Sequence, residues 1–220
     1  MRGRPVVHVH TDAARNLDAR PSEFVGWGGW VYVEETDTIF IAYGRWTRYE
    51  QERLCITSLE LHAQTCMLEI AQQVLQASGF TPEVDVLQVT DNKGSRDVAS
   101  GISAHSPALR VLLAHRAAQM AERPQQRVVN VHCHRELGDE CDDLSKGHLA
   151  EAITGLHQRF GFKARVVLVD SLPREQRLLD EAIAATVLAA TPKCALVSAK
   201  GRERRRERDG RERRLEMAER

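Results

Sequence analysis

The sequence predicts an α/β fold built on a mixed β-sheet, and three observations support this prediction. Three apolar segments separated by short turns precede the first helix-like segment, an order typical of an antiparallel meander. From residue 57 onward, helical and strand-like patterns alternate, as they do in crossover units that add parallel strands to a sheet. The 220 residues are 42% hydrophobic and 28% charged, the composition of a globular chain with one main domain and additional segments.

Three strands are predicted before the first helix. Residues 5–12 (PVVHVHTD) alternate apolar and polar side chains and end on an acid, which is typical of a half-buried strand. The second strand covers residues 24–33 (FVGWGGWVYV), where glycines interrupt the pattern, and the third covers residues 38–46. The Glu-Glu-Thr-Asp sequence between the second and third strands predicts a hairpin turn.

A long helix and then alternating elements follow. Residues 57–77 carry apolar side chains near helical spacing, with Thr57 or Ser58 as the N-cap and Gly79 at the end. Residues 84–90 (VDVLQVT) predict a strand that runs into an aspartate, with a short turn or helix after it. The remaining predicted elements are a helix at 107–122, a strand at 127–133 and a helix at 141–159.

The C-terminal third divides into an extension and a tail. Residues 164–170 and 174–190 predict a further strand and helix, which either dock on the sheet or belong to a separate module. Residues 200–220 contain ten Lys or Arg and six Asp or Glu, which favours a solvated spacer over a strong phosphate contact. The predicted divisions are a main domain at 1–150, a strand–helix extension at 151–199 and a charged tail at 200–220.

The charge balance excludes two classes of protein. With 31 basic and 31 acidic residues the formal net charge is zero, which excludes a strongly basic nucleic-acid coat and a strongly acidic disordered chain. Any contact between the main domain and nucleic acid must therefore come from local patches or bound metal.

Cysteine usage and hydropathy predict an intracellular protein, cytoplasmic or nuclear, that is not secreted and has no membrane partner. Five cysteines are an odd number in a chain large enough to bury a core, so a reducing compartment fits better than a disulfide framework. No apolar run reaches the roughly 18–20 residues that span a bilayer. The N-terminal apolar stretch is too short and too broken for a signal peptide.

Four acidic residues stand where this fold brings strand ends and helix starts together. Asp12 and Asp91 close two strands, Glu60 lies near the start of a helix, and Asp142 lies near the start of the last predicted helix of the main domain. Carboxylates in one cleft repel each other unless cations neutralise them, and hard oxygen ligands suit Mg²⁺ or Mn²⁺. Two such ions about 3.5–4 Å apart activate a water molecule and stabilise a leaving oxygen in phosphodiester cleavage.

The sequence around these acids resembles the ribonuclease H family over roughly residues 5–150. The motifs that carry the resemblance are VVHVHTDAA with Asp12, GWGGWVYV, ITSLELHA with Glu60, LQVTDNKGS with Asp91, and HCHRELGDECDDLSKG with Asp142. The stretch HSPALRVLLAHRAAQMAER is especially similar to the ribonuclease H domains of retroelement reverse transcriptases. The resemblance implies a ribonuclease H-like fold, a mixed five-stranded sheet flanked by helices, followed here by the C-terminal extension.

The resemblance also implies an activity, which is endonucleolytic cleavage of the RNA strand of an RNA–DNA hybrid. In that family four acids bind two Mg²⁺ ions, with Mn²⁺ as an alternative, and a histidine near the last strand assists product or proton handling. His132 lies ten residues before Asp142 and fits the family spacing, and His134 is its rival. The motif selects Asp142 rather than Asp143 as the ligand. Because reverse transcriptase polymerase motifs are absent from this sequence, the resemblance further implies a polymerase domain as a partner.

Four residues are candidates for holding the hybrid. Thr57 and Ser58 precede Glu60, where hydroxyls and free amides bind a phosphate or simply cap the helix. Asn92 and Lys93 occupy positions where family members contact the nucleic-acid backbone, although a solvated turn explains the lysine equally well.

Three tryptophans precede the long helix. Trp27, Trp30 and Trp46 fit core packing better than base stacking.

Two other functions remain alternatives, and two further interpretations are disfavoured. A non-catalytic module with a ribonuclease H-like fold would bind or scaffold nucleic acid, and an integrase-like or exonuclease-like enzyme would use the same acids on another substrate. A zinc site at residues 132–134 and Cys141 is disfavoured, because Cys133 points opposite to its neighbouring histidines on a strand. A serine hydrolase is disfavoured because the sequence has no Gly-x-Ser-x-Gly turn.

Overall fold

The computed structural model describes residues 4–79, 83–101, 104–134, 138–169 and 178–187. The charged tail and the parts of the extension at 170–177 and 188–199 lie outside these residues. The strands are β1 (Val6–Ala13), β2 (Gly26–Val33), β3 (Thr38–Arg45), β4 (Asp85–Thr90), β5 (Arg127–His132) and β6 (Arg165–Leu168). The helices are α1 (Arg48–Arg53), α2 (Ile56–Ala77), α3 (Lys93–Ala99), α4 (Pro107–Ala121), α5 (Asp139–Ser145) and α6 (Leu149–Phe160), and residues 178–187 are also helical.

The six strands form one mixed sheet in the order β5-β4-β1-β2-β3-β6. Strands β1, β2 and β3 pair antiparallel as a meander, whereas β4 pairs parallel with β1 and β5 pairs parallel with β4. The predicted mixed sheet flanked by helices is therefore confirmed. The sheet has one strand more than predicted, because β6 of the extension pairs parallel with the edge strand β3. The strand at 164–170 thus docks on the sheet.

Two apolar cores cover the two faces of the sheet. Alternation along β1 turns Val7 and Val9 toward α2, in a core that also contains buried residues of the helix at 178–187. The opposite face packs Trp30 and its neighbours against α5 and α6. Helix α2 is buried almost all round, because β1 and β2 lie on one side of it and α3 and α4 on the other. No helix among the described ranges is long and apolar enough to cross a bilayer.

The start of α2 differs from the sequence prediction. Its N-cap is Cys55, so neither Thr57 nor Ser58 caps the helix. The chain places a capping box one helix earlier, where the Thr47 hydroxyl accepts from the Glu50 amide and the Glu50 carboxylate accepts from the Thr47 amide. This box begins α1, a short helix that apolar periodicity did not predict.

The single helix predicted at 141–159 is wrong, because the chain breaks it into α5 and α6. Gly147 adopts a φ of 79°, in the left-handed region that ends helices. A side chain at this position would also collide with Phe24, whose Cγ lies 2.7 Å from the site of a Cβ atom. The break lets α5 lie as a separate short element against β1 and β2.

Helix α5 sits directly on β2 at Gly28. A Cβ atom at this glycine would lie 2.2 Å from Leu144 Cβ and 2.8 Å from the Ser145 backbone nitrogen. Only glycine permits this approach, and the approach fixes the depth of the helix that carries Asp142 and Ser145.

We expect Gly28→Ala to destabilise the protein by about 3 kcal/mol, the upper end of the cost of overpacking, because the clash is with backbone as well as side chain. Urea unfolding monitored by circular dichroism measures the change. Gly101→Ala is the control, since Gly101 has a φ of 78° but open space around it, and only the left-handed strain of about 1 kcal/mol applies. Equal losses in the two variants would contradict the close approach of α5 and β2.

Candidate active site

The four predicted acids, Asp12, Glu60, Asp91 and Asp142, line one open cleft of about 780 Å³, here called the acidic cleft, and Glu23 lines it as well. Parallel pairing ends with His10 opposite Val89, and Asp12 and Asp91 each lie two residues further on, at the same edge of the sheet. Glu60 reaches this edge from α2 and Asp142 reaches it from α5. Carboxylate oxygens of Asp12, Glu60 and Asp91 all lie within 4.8 Å of one another.

Ser145 and Lys146, at the end of α5, bind the carboxylates of two of these acids, Asp12 and Asp142. The Ser145 hydroxyl donates to Asp12 Oδ2 at 2.9 Å and lies 2.9 Å from the Asp142 carbonyl oxygen. Lys146 Nζ donates to Asp142 Oδ2 at 2.5 Å, in an ion pair one helical turn apart. Asp142 lines the same cleft as the other three acids, and unlike a bare carboxylate it has an ammonium group as its partner.

The electrostatics of the acidic cleft oppose full ionisation. Burial raises the pKa of Asp12, and the charges of Asp91 and Asp142 raise it further, against the hydrogen bond from Ser145 that lowers it. Glu60 is only 3% exposed. A cation would remove the repulsion, and carboxylate oxygens at this separation are the donors that Mg²⁺ and Mn²⁺ accept. The residues present therefore fit a divalent ion.

The two candidate histidines lie at the end of β5, beside the cleft. His132 is exposed, and its Nε2 lies 2.9 Å from the backbone oxygen of Asp91. His134 is also exposed, two residues beyond the strand, and residues 135–137 after it are outside the described part of the chain. The structure thus places the His132 ring in contact with the backbone of Asp91, a predicted metal ligand.

Two cysteines lie closer to the acids than sequence reasoning expected. Cys133 and Cys141 line a small cavity together with Asp12 and Asp91. Burial raises the pKa of both thiols. The negative charge of Asp91 raises the pKa of Cys133 further, and that of Asp12 raises the pKa of Cys141 further, so both cysteines remain neutral thiols. Among the described residues, the metal-type cluster consists of Asp12, Glu60 and Asp91 rather than of cysteine and histidine.

The four predicted substrate contacts lie at the starts of α2 and α3, and their side chains differ in exposure to solvent. Asn92 lines the acidic cleft and caps α3, where its Oδ1 accepts from the Ser95 amide, and Lys93 beside it is exposed. Thr57 is half-buried against Gly94. Ser58 is 1% exposed and its hydroxyl contacts Cys55 Sγ at 3.3 Å, which takes it away from any phosphate.

The loop at 14–23 forms one wall of the acidic cleft and is held by residues the sequence analysis did not select. Arg45 donates to the carbonyl oxygens of Pro21 and Glu23, and Arg48 donates to that of Leu17. The Gln51 backbone oxygen accepts a hydrogen bond from Arg15 Nε, and Gln51 Oε1 accepts one from the Asn16 amide. The Thr47–Glu50 capping box was the signal in the sequence for the helix that provides Arg48 and Gln51.

These arginines also line a second cleft of about 660 Å³, here called the arginine groove and defined by Arg20, Arg45 and Arg48. It shares Asn16, Glu23 and Val25 with the acidic cleft, so the two clefts are adjacent.

The tryptophans are core residues, since Trp27, Trp30 and Trp46 are each at most 3% exposed. Trp30 stacks on His10 at 3.9 Å between ring centroids, two residues before Asp12 on the same face of β1.

The chain is similar in fold to solved ribonuclease H proteins. One is the N-terminal ribonuclease H domain of a Mycobacterium tuberculosis protein, solved as a fusion with maltose binding protein, at 18% identity over 69% of this chain and 99% of that chain, with a TM-score of 0.47. Another is the LC11 ribonuclease H1 from compost in complex with an RNA/DNA hybrid, at 21% identity over 67% of this chain and 99% of that chain, with a TM-score of 0.43.

A third similar structure is the ribonuclease H1 of the halophilic archaeon Halobacterium salinarum, at 16% identity over 66% of this chain and 98% of that chain, with a TM-score of 0.42. Identities and TM-scores at this level concern the arrangement of strands and helices and carry no information about activity. No protein-family model and no curated protein matches the sequence.

We expect Asp12→Asn to stabilise the metal-free protein at pH 7.5. Because folding raises the pKa of Asp12 above its ordinary value of 3.8, stability falls as the pH rises through the interval between the two values, and the full cost is present above the folded-state pKa. The variant removes this cost and keeps an oxygen that accepts from Ser145. The melting temperature in EDTA should therefore exceed that of the wild type at pH 7.5, and the difference should shrink as the pH falls and vanish below 3.8, where Asp12 is protonated in both states. A melting temperature lower than the wild type at pH 7.5 would contradict this electrostatic picture.

Proposed function

We propose that the protein is a metal-dependent endonuclease that hydrolyses the RNA strand of RNA–DNA hybrids. The observation that supports this best is the convergence of oxygens from Asp12, Glu60 and Asp91 within 4.8 Å, in a cleft that also contains Asp142. Three separate elements supply these three acids, and they meet at the carboxyl edge of parallel strands, where sites collect in α/β sheets.

Each acidic residue has a role in this proposal as a ligand for one or both of two divalent ions, Mg²⁺ or Mn²⁺. When bound, the ions lower the pKa of a water molecule and stabilise the leaving oxygen of the scissile phosphate. Ser145 orients the Asp12 carboxylate through its 2.9 Å hydrogen bond. Lys146 holds Asp142 and supplies a positive charge at the rim of the cleft, where phosphate enters.

The substrate is proposed to lie across both clefts. Asn92, Lys93 and Thr57 present polar groups and a positive charge at the acidic end. The arginine groove continues from there, and guanidinium groups suit phosphate oxygens. Since the net charge of the chain is zero, such local patches are the means by which it would bind a polyanion.

Several finer assignments belong to the same proposal. His132, next to Asp91, is the preferred histidine for proton or product handling, with His134 as the rival. The retroelement origin, a polymerase domain as partner and an intracellular location remain predictions from the sequence. The division at residues 150 and 199 is likewise a proposal.

One contact favours the alternative of a non-catalytic module that binds nucleic acid. Lys146 pairs with Asp142 at 2.5 Å, and a basic partner of this kind would compensate the charge of a carboxylate in a site that binds no ions. This alternative predicts that the hybrid binds and is not cut.

We expect Asp142→Asn to lower hybrid cleavage by about 10²- to 10³-fold, because metal-based stabilisation supplies several kcal/mol and each 1.36 kcal/mol is tenfold in rate. The assay digests labelled RNA–DNA hybrid, duplex RNA and duplex DNA with Mg²⁺ or with EDTA. Asp143→Asn is the matched control, since the neighbouring Asp143 pairs with His148 at 3.5 Å and should keep near wild-type activity.

The assay separates the alternatives. Cleavage of the hybrid alone supports the proposal, and cleavage of duplex DNA would instead support an integrase-like or exonuclease-like enzyme. Hybrid binding without cleavage of any substrate by the wild type would support the non-catalytic module. Retained hybrid cleavage by Asp142→Asn would reassign the ligand.

His132→Ala should reduce the rate by about 10²-fold, the usual contribution of a proton-transfer group, while His134→Ala should leave it within a few-fold. Measuring kcat for both variants between pH 5.5 and 8.5 tests the choice. A larger loss at His134→Ala would exchange the two roles.

A further inference from the structure

A chain of buried polar groups runs through the core from α4 to the acidic cleft. It begins at Arg116, whose side chain is 0% exposed. Its Nη2 donates to Gln88 Oε1 at 2.5 Å and to Asn130 Oδ1 at 2.8 Å, so one guanidinium contacts two neighbouring strands. Gln88 lies on β4, three residues before Asp91, and Asn130 lies on β5, two residues before His132.

The next links join β4 to α2 and α2 to α3. Gln88 Nε2 donates to the carbonyl oxygen of Gln64 at 2.5 Å, and Gln64 Nε2 donates to Ser95 Oγ at 2.7 Å. All three side chains are 0% exposed. Water therefore does not compete for these bonds, and each broken bond would leave a buried polar group without its partner.

The chain ends beside the metal-type cluster. The Ser95 hydroxyl donates to the Asn92 carbonyl oxygen at 2.9 Å, and the Ser95 amide donates to Asn92 Oδ1 at 2.9 Å. Asn92 directly follows Asp91, and Gln64 lies one helical turn after Glu60 on α2. The Gln64–Ser95 bond thus ties the helix that carries Glu60 to the turn that carries Asp91.

The cost of this arrangement argues that it does more than fill space. Burial lowers the pKa of Arg116 to about 10, which records how unfavourable a charged guanidinium is at this position. Apolar side chains of similar volume are often at least as stabilising as a buried charge. What a directional network adds over an apolar one is a defined geometry between the elements that it joins.

We propose that Gln64 and Ser95 are positioning residues that hold Glu60 and Asp91 at the separation at which their carboxylates share a divalent ion. The inference rests on the proposed function for its metal site. Neither residue needs to touch the ion or the substrate. Gln64 acts on Glu60 through the helix backbone, and Ser95 acts on Asp91 through Asn92.

Mn²⁺ titration calorimetry on the full chain tests the proposal through Ser95→Ala, which removes one hydroxyl and creates little empty volume. We expect about five- to tenfold weaker Mn²⁺ binding, since the variant loses both hydrogen bonds of the Ser95 hydroxyl, the one from Gln64 and the one to the Asn92 carbonyl oxygen. Ser106→Ala is the control, because the Ser106 hydroxyl also stabilises the start of a helix, accepting from the Leu109 amide at 3.1 Å as the N-cap of α4, and is not among the residues that line either cleft. It should lower the melting temperature comparably and leave Mn²⁺ affinity unchanged.

A second variant keeps the test decisive if Ser95→Ala unfolds part of α3. Gln64→Met has a similar shape and lacks the donor, so it should weaken Mn²⁺ binding, though no more than Ser95→Ala does, because it leaves the bond from Ser95 to Asn92 intact. Because both changes break the Gln64–Ser95 bond, the double variant should bind Mn²⁺ no more weakly than Ser95→Ala alone. General loosening of the core would instead give losses that add.

The outcomes distinguish this inference from the function on which it rests. A wild type that takes up no Mn²⁺ overturns both. A wild type that binds Mn²⁺, with Ser95→Ala and Gln64→Met matching Ser106→Ala in affinity, overturns the positioning role alone. Hybrid cleavage is not needed for either conclusion.

Discussion

Parallel pairing of β1 with β4 is the constraint on which the rest of the site depends. The register that sets His10 opposite Val89 brings Asp12, which is still within β1, beside Asp91, which directly follows β4, at one edge of the sheet. A shift of one residue in either strand would turn one carboxylate toward the opposite face of the sheet. Buried valines on β1 and β4 hold the register, because any shift would expose them. The chemistry of the edge is thus fixed by apolar packing some distance from it.

The carboxylates of the acidic cleft repel one another, and the side chains around them reduce this repulsion to different degrees at different acids. At Asp12, burial and two neighbouring carboxylates raise the pKa, while the hydrogen bonds from the Ser145 hydroxyl and the Ala13 backbone lower it. Asp142 has an ammonium partner in Lys146 and lies nearer to solvent. The deep side of the cleft is therefore the side that gains most from a bound cation, and its rim is already partly neutralised.

The acids could be chosen from the sequence because each follows a recognisable pattern: Asp12 and Asp91 end apolar strands, and Glu60 lies near a helix start. The mixed sheet, with its antiparallel meander followed by crossover units, follows from the same patterns. Helix α1 was missed because residues 48–53 have no apolar periodicity, and only the Thr47–Glu50 capping box indicated it. The buried polar network of Arg116, Gln88, Gln64 and Ser95 could not be predicted from the sequence either. Glutamines such as Gln64 in a helical pattern indicate a solvent-facing side, whereas here α3 and α4 cover that side of α2.

The break between α5 and α6 shows how a backbone requirement far from the acids controls one of them. A continuous helix from 141 to 159 would need Gly147 in helical conformation, but its φ is 79° and Phe24 occupies the space of a side chain there. Because α5 ends before this glycine, the helix is free to follow β2, where Gly28 lets it approach within contact of the backbone. That depth is what places Ser145 Oγ 2.9 Å from Asp12. Two glycines on different elements thus set the position of the fourth acid, although neither contacts a carboxylate.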